Sequence, residues 1–427
     1  MAQKHSVAHP QWSRNLAIYE VNVRQYTPHG TFAEFEKYLP QLNEMGVGIL
    51  WLMPIHPIGQ KNRKGSLGSY YSVRDYKAIN PEFGNKEDFR RLVDKVHELG
   101  MYIIIDWVAN HTAWDHPWAV QHPDFYTRDK TGNFISPYNW TDVIDLNYDN
   151  TDMRRAMFDA LVYWIKEYDI DGYRCDVAAM VPTDFWETVR DTLDRIKPVF
   201  MLAEAHEPFL HDKAFDMTYG WQYKDLFNDI AAGKKTAADL ADYYEKKEKR
   251  NYHPDAYRMI FTSNHDENSW HGTVFERLDG AAEALAVFCG VFRGMPLIYS
   301  GQEAGLNRRL KFFEKDTIQW KAHKFRDIYT KLFHAKKSNK ALWNGIAGGD
   351  IVRLRTTNDK NVYAFGRRKG DDRILAVFNL SPQQQEISVT LTGFSGEYTD
   401  LFNIQLHNLR ENQNFELEGW AYRVYID

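Results

Sequence analysis

The sequence predicts an α/β fold: a (β/α)8 barrel with a domain inserted after the third strand and a C-terminal antiparallel β-sandwich. Three observations predict it. Eight short apolar runs alternate with amphipathic stretches through most of the chain, the pattern of strands each followed by a helix. A long, loop-like segment rich in Trp, Tyr, His, Asp and Pro follows the third run, over residues 111–150; connections this long are usually functional or small domains of their own. After about Leu342 the pattern changes to short runs of period two with turn signals between them, which reads as antiparallel sheet.

The strand-like runs are AIYEVNV from Ala17, GILWLMP from Gly48, YIIID from Tyr102, GYRCD from Gly172, VFMLAE from Val199, AFDMTY from Ala214, YRMIFT from Tyr257 and PLIYS from Pro296. A doubly wound open sheet is the rival, and the strand count favours the barrel. Helices are expected over 31–45, 86–99, 152–168, 182–196 and 281–292. Thr31-x-x-Glu34 reads as a capping box, and Pro40 predicts a kink or break in the first helix. The C-terminal runs are IVRLRT, VYAFGRR, ILAVFNL, EISVTL and AYRVYI. The domains expected are a barrel over 1–110 and 147–342, an insert over 111–146 and a sandwich over 343–427.

Bulk properties narrow the class. The chain has 427 residues, 44% hydrophobic and 26% charged, which suits a large barrel plus an accessory domain. A net charge of −5 gives no basic footprint for nucleic acid. Neither Cys175 nor Cys289 sits in a C-x-x-C pattern. The N-terminal MAQKHSVAHPQWSRN lacks an apolar signal segment, and no run approaches the ~20 apolar residues of a membrane span. A cytoplasmic protein with no membrane or nucleic-acid partner is expected; the sequence leaves the oligomeric state open.

The charges at the C-terminal strand ends carry the functional reading, because barrel enzymes place their chemistry there. Strand three ends at Asp106 and runs into Asn110 and His111. Strand four carries Arg174 and Asp176, which alternation puts on one face while Cys175 packs outward. Strand five ends at Glu204, and strand seven runs into His265 and Asp266. A lone R-x-D can be a buried structural ion pair. Three acids on one rim point instead to a site, since uncompensated buried charge is costly. Paired carboxylates are the glycosidase arrangement. Arg174 would lower the pKa of Asp176 and hold it anionic as a nucleophile. Glu204, after an apolar strand, has the setting for a raised pKa and the acid role. Asp266 would favour a cationic transition state. The histidines lack the spacing of a zinc site.

These motifs resemble the α-amylase family of glycoside hydrolases across essentially the whole chain. DWVANHT, GYRCDVA, MLAEA and FTSNHDEN are similar to the family's strand-three, -four, -five and -seven motifs; GILWLMPIHP and GMPLIYSGQEAGL resemble its strand-two and -eight signatures. The resemblance implies Asp176 as nucleophile, Glu204 as acid/base and Asp266 as transition-state stabiliser. It implies Arg174, His111 and His265 as substrate-site partners, Asp106 as a structural motif residue, and Tyr71 of GSYYSVRDY as the ring that stacks on sugar. It implies an α-1,4-glucan or malto-oligosaccharide substrate and no cofactor for the chemistry. Family members often hold a structural calcium; Asn110 matches one usual ligand, and Asp142 and Asp145 lie nearby, but no complete ligand set emerges.

The chain departs from the family pattern in places. Ala179 and Met180 stand where many relatives have Lys-His on the leaving side, Gly68-Ser69 precede Tyr70-Tyr71 where many have a histidine, and the D-x-N-x-D-G calcium loop is absent after strand one. Trp107, Trp114, Trp118, Tyr126, Tyr138 and Trp140 read either as sugar platforms or as the insert's own core, and His56 as a structural loop residue. The rival functions are a glucan transferase or isomerase of the same clan, and an inactive carbohydrate-binding relative.

Overall fold

The structure, a computed structural model, describes residues 7–427. Positions 1–6, the start of the stretch read as lacking a signal segment, lie outside the described residues. Eight strands close into one barrel: β1 (Ile18–Val21), β2 (Ile49–Leu52), β3 (Tyr102–Trp107), β4 (Gly172–Cys175), β5 (Phe200–Ala203), β6 (Met217–Tyr219), β7 (Tyr257–Phe261) and β8 (Met295–Tyr299). Each pairs in parallel with its sequence neighbours, and β8 closes onto β1 with Leu297 opposite Ile18. Every strand run read from the sequence is a barrel strand.

Strand alternation sorts the side chains. Inward positions near the strand starts are apolar: Ile18, Ile49, Ile104, Phe200, Leu202 and Met259 fill the barrel core. Outward positions such as Leu50, Ile103, Ile105, Tyr173, Cys175 and Met201 pack in the separate layer shared with the helices. Two residues further along the inward face, Ile18 gives way to Glu20, Ile104 to Asp106 and Leu202 to Glu204. Period two thus lifts the charges to the C-terminal mouth of the barrel.

Each expected helix forms within a residue or so of its predicted ends, except the first. That one divides into Phe32–Glu36 and Leu39–Glu44. Pro40 sits in the first turn of the second piece, where its missing N–H costs nothing. Thr31 caps the first piece by accepting from the Glu34 amide at 3.3 Å. Longer helices also span Trp221–Ala231 and Lys324–Ser338. No helix among the described residues is long and apolar enough to cross a membrane.

In the long connection after β3, short strands His111–Ala113 and Val143–Asp145 pair antiparallel and bring the segment back over the barrel mouth. Beyond the barrel, a six-stranded antiparallel sheet and a two-stranded ribbon enclose an apolar layer that includes Leu354, Val377, Val389 and Leu417. The sandwich is therefore unequal. All five predicted C-terminal runs are strands. Three further ones, Gly396–Asp400, Leu406–Leu409 and Asn412–Leu417, are half-exposed and polar, so their apolar alternation is weak. The outer face of the larger sheet packs on the barrel: Phe378 meets Phe288 at 5.2 Å and Phe365 meets Phe292 at 5.6 Å.

Candidate active site

A cleft of about 530 Å³ opens at the C-terminal mouth of the barrel. Asp176, Glu204, Asp266, Tyr71 and His111 all line it. Arg174 and Asp106 are fully buried in the floor beneath, and His265 is 1% exposed.

Local backbone geometry aims the two nearest acids. Gly172 opens β4 at φ +147°, and a Cβ there would fall 1.9 Å from the Phe200 carbonyl oxygen; only glycine lets β4 and β5 approach this closely. Asp176 follows β4, its amide donating to the Trp107 carbonyl at 2.9 Å. Val177 then takes a left-handed conformation at φ 37°, an outlier for a β-branched residue. That turn points the Val177 amide at Glu204 Oε2, 2.8 Å away. Strain at a functional position is held by its surroundings, and here it orients a carboxyl.

Arg174 organises the floor. Its Nη1 donates to Asp106 Oδ1 at 2.8 Å and to Asp176 Oδ1 at 2.9 Å. Nη2 lies 3.0 Å from Glu204 Oε2 as an ion pair, although its N–H is not aimed for a hydrogen bond. Nε donates to the Tyr219 hydroxyl at 3.2 Å, and the guanidinium lies 5.0 Å from the Trp51 ring centre. One cation therefore serves three acids. Arg174 does pull the Asp176 pKa down as expected, but the expectation that it thereby holds the carboxyl anionic is corrected. Burial and then the charge of Glu204 push the Asp176 carboxyl well above the usual range, and the pull of Arg174 is the smaller effect. Asp106 is likewise raised by burial against the pull of Arg174.

A second chain of contacts runs from strand one. His265 Nδ1 bonds the Glu20 carboxylate, its Nε2 is 2.7 Å from the Tyr71 hydroxyl, and that hydroxyl donates to Asp106 Oδ2 at 3.0 Å. Burial opposes the His265 charge, but Asp266 and Glu20 outweigh it and push the pKa up to about 9. The imidazolium then donates on both sides, to Glu20 and to Tyr71. His111, by contrast, is pushed down to about 3 by burial and stays neutral. Tyr71 stacks at 5.5 Å on His265 and at 6.2 Å on Phe312.

The sequence reading passed over several of these residues. Glu20 and Trp51, whose indole N–H donates to Asp106 Oδ2 at 3.2 Å, sit in β1 and β2 in the same inward register as Arg174. The available signal was a charge inside the apolar run AIYEVNV. Lys64, Phe312 and Phe313 line the cleft from loops and Trp270 from the helical turn Glu267–His271, where no apolar periodicity marks them. Of the six aromatics, Trp140 lines the cleft. Trp107 and Tyr126 are buried, Tyr138 is exposed, and Trp114 and Trp118 pack against the core. His56 is buried, its pKa pushed down to about 4, and Cys175 is buried in the helix-facing layer.

The donor set suggested for calcium does not fit a cation. Asn110 turns its amide nitrogen to His111 Nδ1 at 3.3 Å, Asp142 Oδ1 pairs with Lys64 Nζ at 2.8 Å, and no cluster of three or more His, Cys, Asp or Glu among the described residues could hold a metal.

The family model "Alpha amylase, catalytic domain" matches residues 24–373, and "Alpha amylase, C-terminal all-beta domain" matches 355–426. Alpha-amylase MalA of Haloarcula japonica is 26% identical over 400 residues, covering 89% of this chain and 57% of its own length. An intracellular maltogenic amylase of Bacillus subtilis is 28% identical over 369 residues, covering 80% of this chain and 60% of its own. The chain thus spans less than two thirds of the length of these two relatives. Among solved structures, the maltogenic α-amylase AmyB of Thermotoga neapolitana superposes with a TM-score of 0.88 at 31% identity, covering 96% of this chain and 98% of that one. An α-amylase of Lactobacillus plantarum gives 0.87 at 29%, covering 98% and 100%.

Proposed function

We propose, from the premise that this chain belongs to the α-amylase family of glucan-active enzymes, that it is a retaining α-glucan hydrolase acting on malto-oligosaccharides. The observation that carries the reading is Arg174 touching Asp106, Asp176 and Glu204 at 2.8, 2.9 and 3.0 Å. Two carboxyls held against one guanidinium lie close together, as a double displacement requires, and one proton shared between them removes their repulsion.

In this reading the one proton the pair shares sits on Glu204 when substrate binds, and Asp176 supplies the carboxylate that attacks the glucosyl C1. Glu204 supplies the proton to the glycosidic oxygen, so the bond breaks as the sugar alcohol leaves. Water then gives a proton back to Glu204, attacks C1 and frees Asp176. Asp266 faces the cationic centre formed in both steps. Tyr71 lies under the ring, neutral His111 hydrogen-bonds a hydroxyl, and cationic His265, engaged with Glu20 and Tyr71, holds the Tyr71 hydroxyl in place. The floor needs no metal for these transfers. The relatives named maltogenic support maltose as a product, and the intracellular one supports the cytoplasmic reading.

A second reading, glucosyl transfer, rests on the Ala179–Met180 departure from the family pattern: Met180, four residues past Asp176, is apolar and 38% exposed, and an apolar acceptor side would disfavour water. An α-1,4-glucan:maltose-1-phosphate maltosyltransferase is among the relatives, at 24% identity. Chromatography of products from maltoheptaose tests both. Glucose and maltose release supports hydrolysis, chains longer than the substrate support transfer, and no turnover of any α-glucan refutes the assignment.

A further inference from the structure

One wall of the cleft is built differently from the other. In the closed barrel β8, β1 and β2 lie across from β4, β5 and β6. Glu204 follows β5, so the departing sugar leaves on that side, where Met180 and Phe209 are exposed. The retained, non-reducing part of the chain must then run toward β8, β1 and β2.

That side carries an aromatic path. From Tyr71 it runs to Phe312 at 6.2 Å, then from Phe312 to Trp270 and to Phe313, each at 5.2 Å. Beyond Phe313 the loop between β2 and the next helix crosses over. Leu67 donates its amide to the Phe313 carbonyl at 3.0 Å, and the Ser66 amide donates to Glu314 Oε1 at 2.8 Å. A Cβ on Gly65 would lie 2.5 Å from Phe313 Cβ. On its other flank Lys64 pairs with Asp142 of the insert, and both line the cleft.

The loop is rigidly tied. Asn62, Gly65 and Gly68 all adopt left-handed conformations, φ 59°, 64° and 79°, which fold it back on itself. Buried Arg24 donates to the Gly68 and Leu67 carbonyls at 3.1 and 3.4 Å. Arg63 donates to the Gly59 and Ile58 carbonyls at 2.8 and 3.1 Å. The loop thus joins the β8 side of the mouth to the insert, and the cleft it bounds has the volume of a small-molecule pocket.

We infer that residues 63–68, held by the Lys64–Asp142 and Ser66–Glu314 contacts, wall off the glycone end of the cleft, so that the enzyme cuts maltose units from non-reducing ends. One glucosyl ring fits over Tyr71 and one more lies against Phe312 and Trp270; a longer glycone meets the strap. Lys64 is in this sense a specificity-determining residue. The inference rests on the proposed hydrolase reading.

The test is the first bond cut in maltoheptaose labelled at its reducing end. The expected wild-type result is unlabelled maltose with a labelled chain shortened by that unit. In Lys64→Ala, maltotriose and longer unlabelled fragments should rise several-fold relative to maltose. Because Lys64→Ala leaves the Asp142 carboxylate without its partner, the double variant Lys64→Met/Asp142→Asn repeats the measurement with neither charge present. Scattered internal cuts by the wild type overturn the strap and leave the hydrolase reading standing. An unchanged maltose pattern in a folded strap variant also overturns it. No cleavage of any α-glucan overturns both.

Discussion

Arg174 Nη1 and Asp176 Oδ1 meet at 2.9 Å in the floor of the cleft, yet Asp176 holds its proton more tightly than an ordinary aspartic acid. Burial and the neighbouring Glu204 outweigh the guanidinium. A raised folded-state pKa costs stability above the ordinary value of the group, and the cost vanishes below it. Asp176→Asn should therefore raise Tm at pH 7, and the gain should shrink as pH falls toward 4. Calorimetry across that range checks it; a lower Tm at pH 7 contradicts it.

The division of roles between the acids has a chemical test. Glu204→Gln should lower kcat on maltoheptaose by about 10²–10⁴, and most of the loss should be recovered on α-glucosyl fluoride, whose leaving group needs no proton. Asp176→Asn should fall at least as far and recover nothing, because the fluoride still needs a nucleophile. Fluoride release by each variant measures both.

His265 sets an alkaline limit. Its folded pKa, about 9, stands above the ordinary 6.5, so the stability it contributes is complete below pH 6.5 and is lost as pH rises through about 9. Denaturant titrations of the wild type should show this decline, and His265→Gln should flatten it. Glu20→Gln removes one of the charges that raise the pKa, and should move the alkaline limb of the rate profile to lower pH.

Gly172→Ala should prevent or cripple folding. The added Cβ would overlap the Phe200 carbonyl, a backbone atom that cannot turn aside, at a φ that L-residues rarely adopt. A loss above about 3 kcal/mol is expected, read from urea midpoints; Gly370→Ala, also at a positive φ (+62°) but with open space around it, is the control and should cost only the left-handed strain, about 1–2 kcal/mol.

Chelation should leave the fold unchanged. Lys64 Nζ already neutralises Asp142, and Asn110 is engaged with His111. Melting in EDTA and in millimolar calcium should agree within about 1 °C, the shift that about 1 kcal/mol produces in a chain this size.

Arg174 and Asp176 could be read as one site because strand alternation alone puts i and i+2 on one face. Asp106 and Glu204 were legible as charges where apolar strands end, whereas Glu20 and Trp51 share that inward register but sit inside their runs, where no strand end marks them. Phe312, Phe313 and Trp270 differ: two come from a loop and one from the short helical turn Glu267–His271, and nothing periodic relates them to Tyr71. Nothing in the sequence marks Lys64; only the insert, by bringing Asp142 to it, places it at the cleft.

The sequence by itself determined the order of the strands, their inward faces and the acids at their ends, because these follow from period-two geometry and from where apolar runs begin and stop. Only the tertiary structure decided how charge is shared and where the cleft stops. One guanidinium must serve three acids, so the proton affinity of Asp176 depends on Glu204 and Asp106 as well as on Arg174. The strap closes the mouth only because loops far apart in the chain meet across it.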